Sequence, residues 1–542
     1  MILNWCISRP SPGYALLILL LCFIWCSCGS TSDKPKINPV QGGTVIIGLL
    51  SEPASLNPLV ASTTQEKDII ERLFLKLLEE KDDFLNFEPR LAKSWVFSED
   101  GLAITFQLRD DVVWFDGTAC TARDVKFTYE LQTDSIIAWS SRQLKDRISS
   151  VEVVDDYTVR FHYSQRYPYQ LMDANDGVIV PQHILSACPR DEFHSHPFGR
   201  QPVGNGPFML GDWVSGQYVE LVRNPEYYEP GKPRLDRVIF RVVPDDLTLL
   251  TQLKKGEIDC LESISREAVG DLTGNYPDIR IYKYPSRSMT YIAWNLEHPL
   301  FRDKETRRAL TMAINREEII ATLLKGMAVE CKSPMNQLIW AYADNIEPVP
   351  FDPVRARIVL AEQGWLDTDG DRVLDRDGRP FEFEMITNNG NQVRVGIVTM
   401  VEAYLRNIGV KVNTQMLDWN HFIGRVIKSD FDSHVMGWKV GTRADLTELW
   451  HSRSNEPGGY NRVGYKNTEV DALIDEAKNT LDPDQAKALW SRCQRIIYED
   501  QPFTFVAIQY EVVALGNKFK GVRASPISFF INLRDWYIDE VP

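Results

Sequence analysis

Between Met436 and Ser452 the chain reads MGWKVGTRADLTELWHS, which crowds Trp438, Trp450, Asp445, Glu448, Arg443 and His451 between two glycines and a serine. Such side chains suit acid–base chemistry, or else one wall of a pocket that holds a solute by an aromatic platform and charged contacts. His451 beside Ser452 is no dyad, because neighbouring side chains on a helix diverge and triad partners meet through the fold. The chain contains no G-x-S-x-G, no H-E-x-x-H and no P-loop. VGNGPFMLG, Val203 to Gly211, starts like a dinucleotide fingerprint but lacks the third glycine at the right offset, and Pro207 would interrupt the required helix; it reads as a turn.

Metal chemistry has two candidates. His194 and His196 lie beside Pro197 with no carboxylate or cysteine at ligand spacing, so a solvated loop is expected. In DTDGDRVLDRDG, Asp367, Asp369, Asp371 and Asp375 recur at calcium-loop spacing. Arg372 replaces the glycine of the sharp turn, and Gly378 stands where a bidentate glutamate should close the sphere. An acidic surface hairpin is expected, no metal or cofactor is assigned, and these four aspartates remain a weak calcium candidate.

The supporting frame is large and acidic. At 542 residues, 44% apolar and 25% charged, the chain should fold as two or three globular domains. A net charge of −15 without a Lys/Arg cluster argues against nucleic acid as a partner. Arg9 precedes an apolar run from Tyr14 to Trp25, about 18 Å as a helix and too short for a bilayer core of roughly 30 Å, hence a signal h-region. Ser27 and Gly29 flank Cys28, and a polar tether rich in Gly, Pro and Ser follows. Cys120, Cys188, Cys260, Cys331 and Cys493 are scattered singly, without CxxC spacing, and read as buried structural thiols.

Strand patterns cover Ala103 to Leu108, Thr158 to Tyr163, Tyr218 to Arg223 and Arg237 to Val243. A helix is expected from the N-cap Asp303 to Gly326. Another carries Ile397, Val401, Tyr404, Leu405 and Ile408, stops at Gly409 and feeds the strand VKVNTQM. Two more follow, the second capped by Asp482 and opened by Pro483. The alternation indicates mixed α/β lobes.

GGTVIIGLLSEPASLNPL (Gly42 to Leu59), LAKSWVFSEDGLAITFQLRDDVVWFDGTACTARDVKFTYE (Leu91 to Glu130) and PVGNGPFMLGDWVSGQYVELVRNPEYY (Pro202 to Tyr228) resemble the extracytoplasmic solute-binding proteins of family 5. The likeness continues through Leu235 to Leu261, Tyr291 to Ile320 and Asn461 to Ala477, essentially the whole mature chain. The resemblance implies an α/β, two-lobed periplasmic-binding-protein fold (type II, cluster C) with a subdomain inserted in the first lobe. It implies a signal peptide over 1–27, a tether over 28–41 and lobe I over 42–285 with the insert at about 61–174. Lobe II then spans 286–502, and 503–542 returns to lobe I. The N terminus resembles a bacterial lipoprotein signal with Cys28 as the lipidated residue.

Family members serve ABC importers of peptides, nickel and some sugars, and close by a hinge over ligand held between the lobes. The implied protein is a monomeric, lipid-anchored receptor on the extracytoplasmic face of the cell envelope, and not an enzyme. It would capture oligopeptides and deliver them to permease subunits. A non-peptide solute such as a sugar or nickel chelate is the alternative, and an envelope enzyme or chaperone on the same lobes a second one. The opening stretch then resembles the cleft segment of the second lobe. In the peptide-binding members an aspartate three residues beyond the tryptophan pairs with the peptide ammonium; here that position is Gly441. Trp438, Gly441, Arg443 and Asp445 are the main ligand-binding candidates, and Asn205, Asn295, Tyr460 and Asn461 lie in segments that border the cleft in the family.

Overall fold

The computed structural model describes residues 41–539; the signal segment 1–27, Cys28 and nearly all of the tether lie outside the described residues. The frame is an eleven-stranded mixed sheet. Its strands in chain order are β1 (Thr44–Leu49), β2 (Phe208–Val214), β3 (Tyr218–Arg223), β4 (Arg237–Val242), β5 (Cys260–Glu262), β6 (Ile279–Trp294), β7 (Glu382–Asn388), β8 (Lys411–Leu417), β9 (Ser433–Lys439) and β10 (Phe503–Gly516). Their spatial order is β8-β7-β9-β6-β10-β5-β1-β4-β3-β2, and a short strand, Ala328–Glu330, pairs with β10 off that path.

Two long strands join the halves. The first part of β6 pairs with the last part of β10, Ile279 opposite Gly516 through Pro285 opposite Tyr510. After a break in register between Pro285 and Met289, the rest of β6 pairs with the start of β10. The burial follows the same division. Phe503, Phe505 and Ile508 pack with Trp450, Trp490 and Tyr498, whereas Val513 and Leu515 pack with Val45 and Ile47. Aromatic stacking fixes the second half, with Tyr291 and Phe503 parallel at 4.0 Å between ring centroids.

A separate four-stranded antiparallel sheet is built, in spatial order, from Ala92–Phe97, Ala103–Leu108, Thr158–Tyr163 and Ile148–Asp155. The helix Ala122–Thr133 covers it, held by a reciprocal capping box between Thr121 and Asp124. Phe84 from the hairpin before this sheet is 1% exposed and packs among the buried side chains of the other half of the molecule.

The helix expected from Asp303 to Gly326 is two helices, Lys304–Ala313 and Arg316–Leu323. The buried Arg316 guanidinium takes the carbonyls of Thr311 and Ile314, and the Asn315 side chain accepts the Glu318 N–H. These local bonds compete with helix continuation, so the apolar stripe persists while the backbone breaks. The helices Gln392–Arg406, Thr468–Ala477 and Pro483–Asp500 form as expected, the first followed by Gly409 at φ +86° and then β8. Cys120, Cys188, Cys260, Cys331 and Cys493 are free and buried.

Candidate functional site

A cavity of about 1010 Å3 opens where the two long strands cross between the halves. That is at the upper end of the roughly 300–1,000 Å3 typical of small-molecule sites. Its walls come from the end of β1 (Gly48, Leu49), from β5 (Leu261, Glu262), from the irregular segment Tyr284 to Arg287 of β6, and from Lys439 and Glu511 on β9 and β10. A neighbouring cavity of about 390 Å3 shares Ser286, Lys439 and Glu511 and is lined further by Trp438 and Arg394. The two form one continuous cleft.

The helix Thr64–Leu73 supplies a charged wall. Thr64, Lys67, Asp68 and Glu71 recur at helical spacing and line the cavity, while Ile69, Ile70 and Leu73 are buried in the core. Both helix ends are tied down. Thr63 and Glu66 form a capping box, and the Glu66 carboxylate also accepts the N–H of Ala54 at 2.9 Å. At the other end the Leu73 carbonyl accepts the N–H of Asn205 at 3.0 Å and of Gly206 at 2.8 Å. The approach leaves no room for a side chain: a Cβ on Gly204 would lie 2.0 Å from the Leu73 oxygen. The VGNGP turn thus anchors a cleft helix.

Charge in the cavity is divided. Glu71 is satisfied by Lys76 at 2.6 Å. Asp68, 8% exposed, accepts the Ser528 hydroxyl at 2.6 Å. Burial raises the Asp68 carboxyl despite that bond and the Arg72 guanidinium, and burial with the charges of Asp68 and Glu511 raises Glu262 well above the usual range. Among the described residues neither Glu262 nor Glu511 has an ion-pair partner. Lys439 and Arg287 face them from the second half; Arg287 donates to the Val440 carbonyl at 3.4 Å.

The residues singled out in the sequence divide into three groups. Trp438 is half-buried at the end of β9, lines the smaller cavity and meets Tyr460 edge-on at 5.0 Å. Gly441, Arg443 and Asp445 line only a narrow pocket of about 40 Å3 beside it. Arg443 pairs with Asp173, and Asp445 pairs with Lys478 at 3.0 Å and accepts the Thr447 N–H at 2.8 Å. The three asparagines do not reach the large cavity. Asn205 accepts the Leu75 N–H, Asn295 donates to the Phe431 carbonyl at 2.8 Å, and Asn461 is bonded to both backbone groups of Tyr465. Asn205 and Asn295 tie their loops to backbone groups distant in sequence, and Asn461 to the backbone four residues on, so all three amides are occupied within the protein. Trp450, on the short helix Thr447–Trp450, is fully buried against Tyr465 and Phe503.

The acidic loop places carboxylate oxygens of Asp367, Asp369 and Asp371 within 4.8 Å of one another. Asp375 is turned to Thr368, whose hydroxyl it accepts at 2.7 Å, and Asp377 and Gly378 take positive φ in a two-residue hairpin turn. His194 bonds the Ile137 carbonyl, and His196 accepts the Phe198 N–H.

The sequence model for bacterial extracellular solute-binding proteins, family 5, matches residues 86–460. The chain belongs to this family. Family 5 relatives cover it almost end to end: the oligopeptide-binding protein AppA of Bacillus subtilis is 33% identical over 97% of this chain and 98% of its own length. The AppA structure in complex with a nonapeptide covers 93% of this chain and 100% of its own with a TM-score of 0.70. NikZ from Campylobacter jejuni in complex with Ni(L-His), 27% identical, covers 91% of this chain and 99% of its own with a TM-score of 0.72. The family 5 protein described here is therefore a two-lobed α/β solute-binding protein of the extracytoplasmic space and not an enzyme.

The charged cleft residues Asp68, Glu262, Arg287, Lys439 and Glu511 escaped the sequence reading. Only the polar stripe of the helix Thr64–Leu73 signalled any of them, and such a stripe reads as a solvated face.

Proposed function

We propose that this protein is the receptor of an ABC importer, capturing oligopeptides in the cleft between its lobes and passing them to membrane permease subunits. The observation that carries the reading is the long cleft along the irregular segment Tyr284 to Arg287, with the 33% identity to an oligopeptide-binding protein behind it. Binding an extended peptide through its main chain along such a cleft tolerates varied side chains. The lining of the large cavity offers carboxylates but neither imidazole nor thiolate, the ligand types that suit nickel and haem iron.

In this reading lobe I comprises 42–285 with the insert at about 61–174 and lobe II begins at 286; the return expected over 503–542 starts only past Glu511, because Phe503, Phe505 and Ile508 pack with Trp450, Trp490 and Tyr498. The hinge lies at Ser286–Ser288 and Gln509–Glu511. Cys28 carries the lipid, 28–41 is the tether, and the folded body works as a monomer. Native mass spectrometry of protein purified from its own host should show a distribution of bound short peptides. A single non-peptide solute would overturn the peptide reading, and a Cys28→Ser protein still partitioning with membranes would overturn the anchor.

A further inference from the structure

Apolar surface stands uncovered on one wall of the large cavity. β1 and β4 are adjacent and parallel, and past their C-terminal ends the Val243 N–H still donates to the Leu49 carbonyl at 2.8 Å. Leu50 leaves the first strand there, and the helix Asp246–Lys255 leaves the second, capped by Asp245, which accepts the Thr248 N–H at 2.6 Å. The helix has two apolar faces. Leu249 and Leu253 are buried, and Gly48 of β1 makes room for the first: a Cβ there would lie 2.7 Å from Leu249 Cδ2. Leu247 and Leu250 line the cavity instead, with Leu247 73% and Leu50 44% exposed. Leu261 and Ile264 line it with them and belong to the same apolar cluster as Leu250. We propose that this leucine shelf seats one bulky apolar side chain of the cargo, so that capture favours peptides with Leu, Ile or Phe at one position. This rests on the peptide reading above and sharpens it.

The physical case is one of a missing cover. A single exposed leucine on an outer surface needs no explanation, but these leucines face a cleft that closes. Either the second lobe covers them or the cargo does. On the lobe division above, lobe II and the hinge contribute Ser286, Arg287, Lys439 and Glu511 to the wall of the large cavity, all of them polar. Pressing those charged heads onto leucine would strip their water without giving them a partner. Trp438 of lobe II lines the neighbouring cavity and already packs edge-on against Tyr460 at 5.0 Å. The helix Thr64–Leu73 presents Thr64, Lys67, Asp68 and Glu71, which are polar as well. The apolar cover must then come from the solute. An extended peptide sends alternate side chains to opposite sides, so one of them can lie on the shelf while its neighbours face the charged wall.

The test is titration calorimetry of the full receptor with hexa-alanine and with the set of hexapeptides in which each alanine in turn is replaced by leucine. At one position leucine should tighten binding about tenfold, the effect of burying one such side chain, and should make the heat capacity change of binding more negative. Aspartate at that position should bring no gain. Leu247→Ser and Leu50→Ser should close the gap between the favoured leucine peptide and hexa-alanine. Indifference to leucine at every position, or a gain that survives in both variants, would overturn the shelf and leave the peptide reading standing. Loss of affinity by the same factor for hexa-alanine and every leucine peptide would make the leucines a contact between the lobes and overturn the shelf as well. Failure of every peptide to bind would overturn both readings.

Discussion

Arg443 of the loop after β9 forms an ion pair with Asp173, 270 positions earlier in the chain. Tyr169 reinforces the contact, donating its hydroxyl to the Ala444 carbonyl at 2.7 Å with the Arg443 guanidinium 5.4 Å from its ring. Asp173 is buried and also accepts the Tyr167 hydroxyl, while Lys145 donates to its backbone carbonyl at 2.5 Å. On the lobe division proposed above, the contact joins the insert of lobe I to lobe II and would add to the stability of a closed form whatever the cargo.

Replacing Arg443 by Met should therefore open the receptor. The buried Asp173 loses its countercharge in the closed form, at a cost of about 1–2 kcal/mol given the partial exposure of Arg443. Solution scattering should show a larger radius of gyration without ligand, and affinity should fall about tenfold for every bound solute alike. An unchanged envelope and unchanged affinity would show that the pair plays no part in closure.

Gly204→Ala should destabilise the fold by about 2–4 kcal/mol, because the new methyl meets the Leu73 carbonyl and must displace the turn that caps the helix Thr64–Leu73. Thermal unfolding checks this, and ligand binding should weaken with it since Asp68 rides on that helix. A melting temperature within a degree of the parent would contradict the packing described.

His434 is buried among Tyr291, Phe422 and Phe431, where burial first and the Arg394 charge second hold its imidazole down to about 3. The folded pKa lies below the unfolded one, so its stability contribution is complete above about pH 6.5 and is lost as acid protonates the unfolded chain between that value and about pH 3. At pH 5 the loss amounts to about 2 kcal/mol. Comparing denaturant unfolding of His434→Phe with the parent at pH 7 and pH 5 should show a smaller acid loss in the variant, and parallel losses would refute the assignment.

Excess EDTA should leave the melting temperature within about a degree. Asp367, Asp369 and Asp371 each accept a backbone N–H of their own loop, those of Gly370, Asp371 and Val373 respectively, and Asp375 is held by Thr368. The loop closes on itself. A calcium-dependent rise of several degrees would establish a bound ion instead.

The amino-acid sequence by itself determined the α/β class, most helix and strand positions and the family, since periodicity, caps such as Asp303 and Asp482, and turn glycines such as Gly409 act locally. Of the loop it singled out, Trp438 lines the smaller cavity, whereas Gly441, Arg443 and Asp445 line a separate narrow pocket. Only the tertiary structure decided which residues share the large cavity. Asp68, Glu262, Arg287, Lys439 and Glu511 come from five separate segments, and their meeting depends on how β6 and β10 cross between the lobes. It likewise turned Arg443 toward Asp173 and gave Asn205 and Asn295 their distant backbone partners at Leu75 and Phe431. A side chain's partners are set by long-range packing, and no short stretch of sequence carries that information.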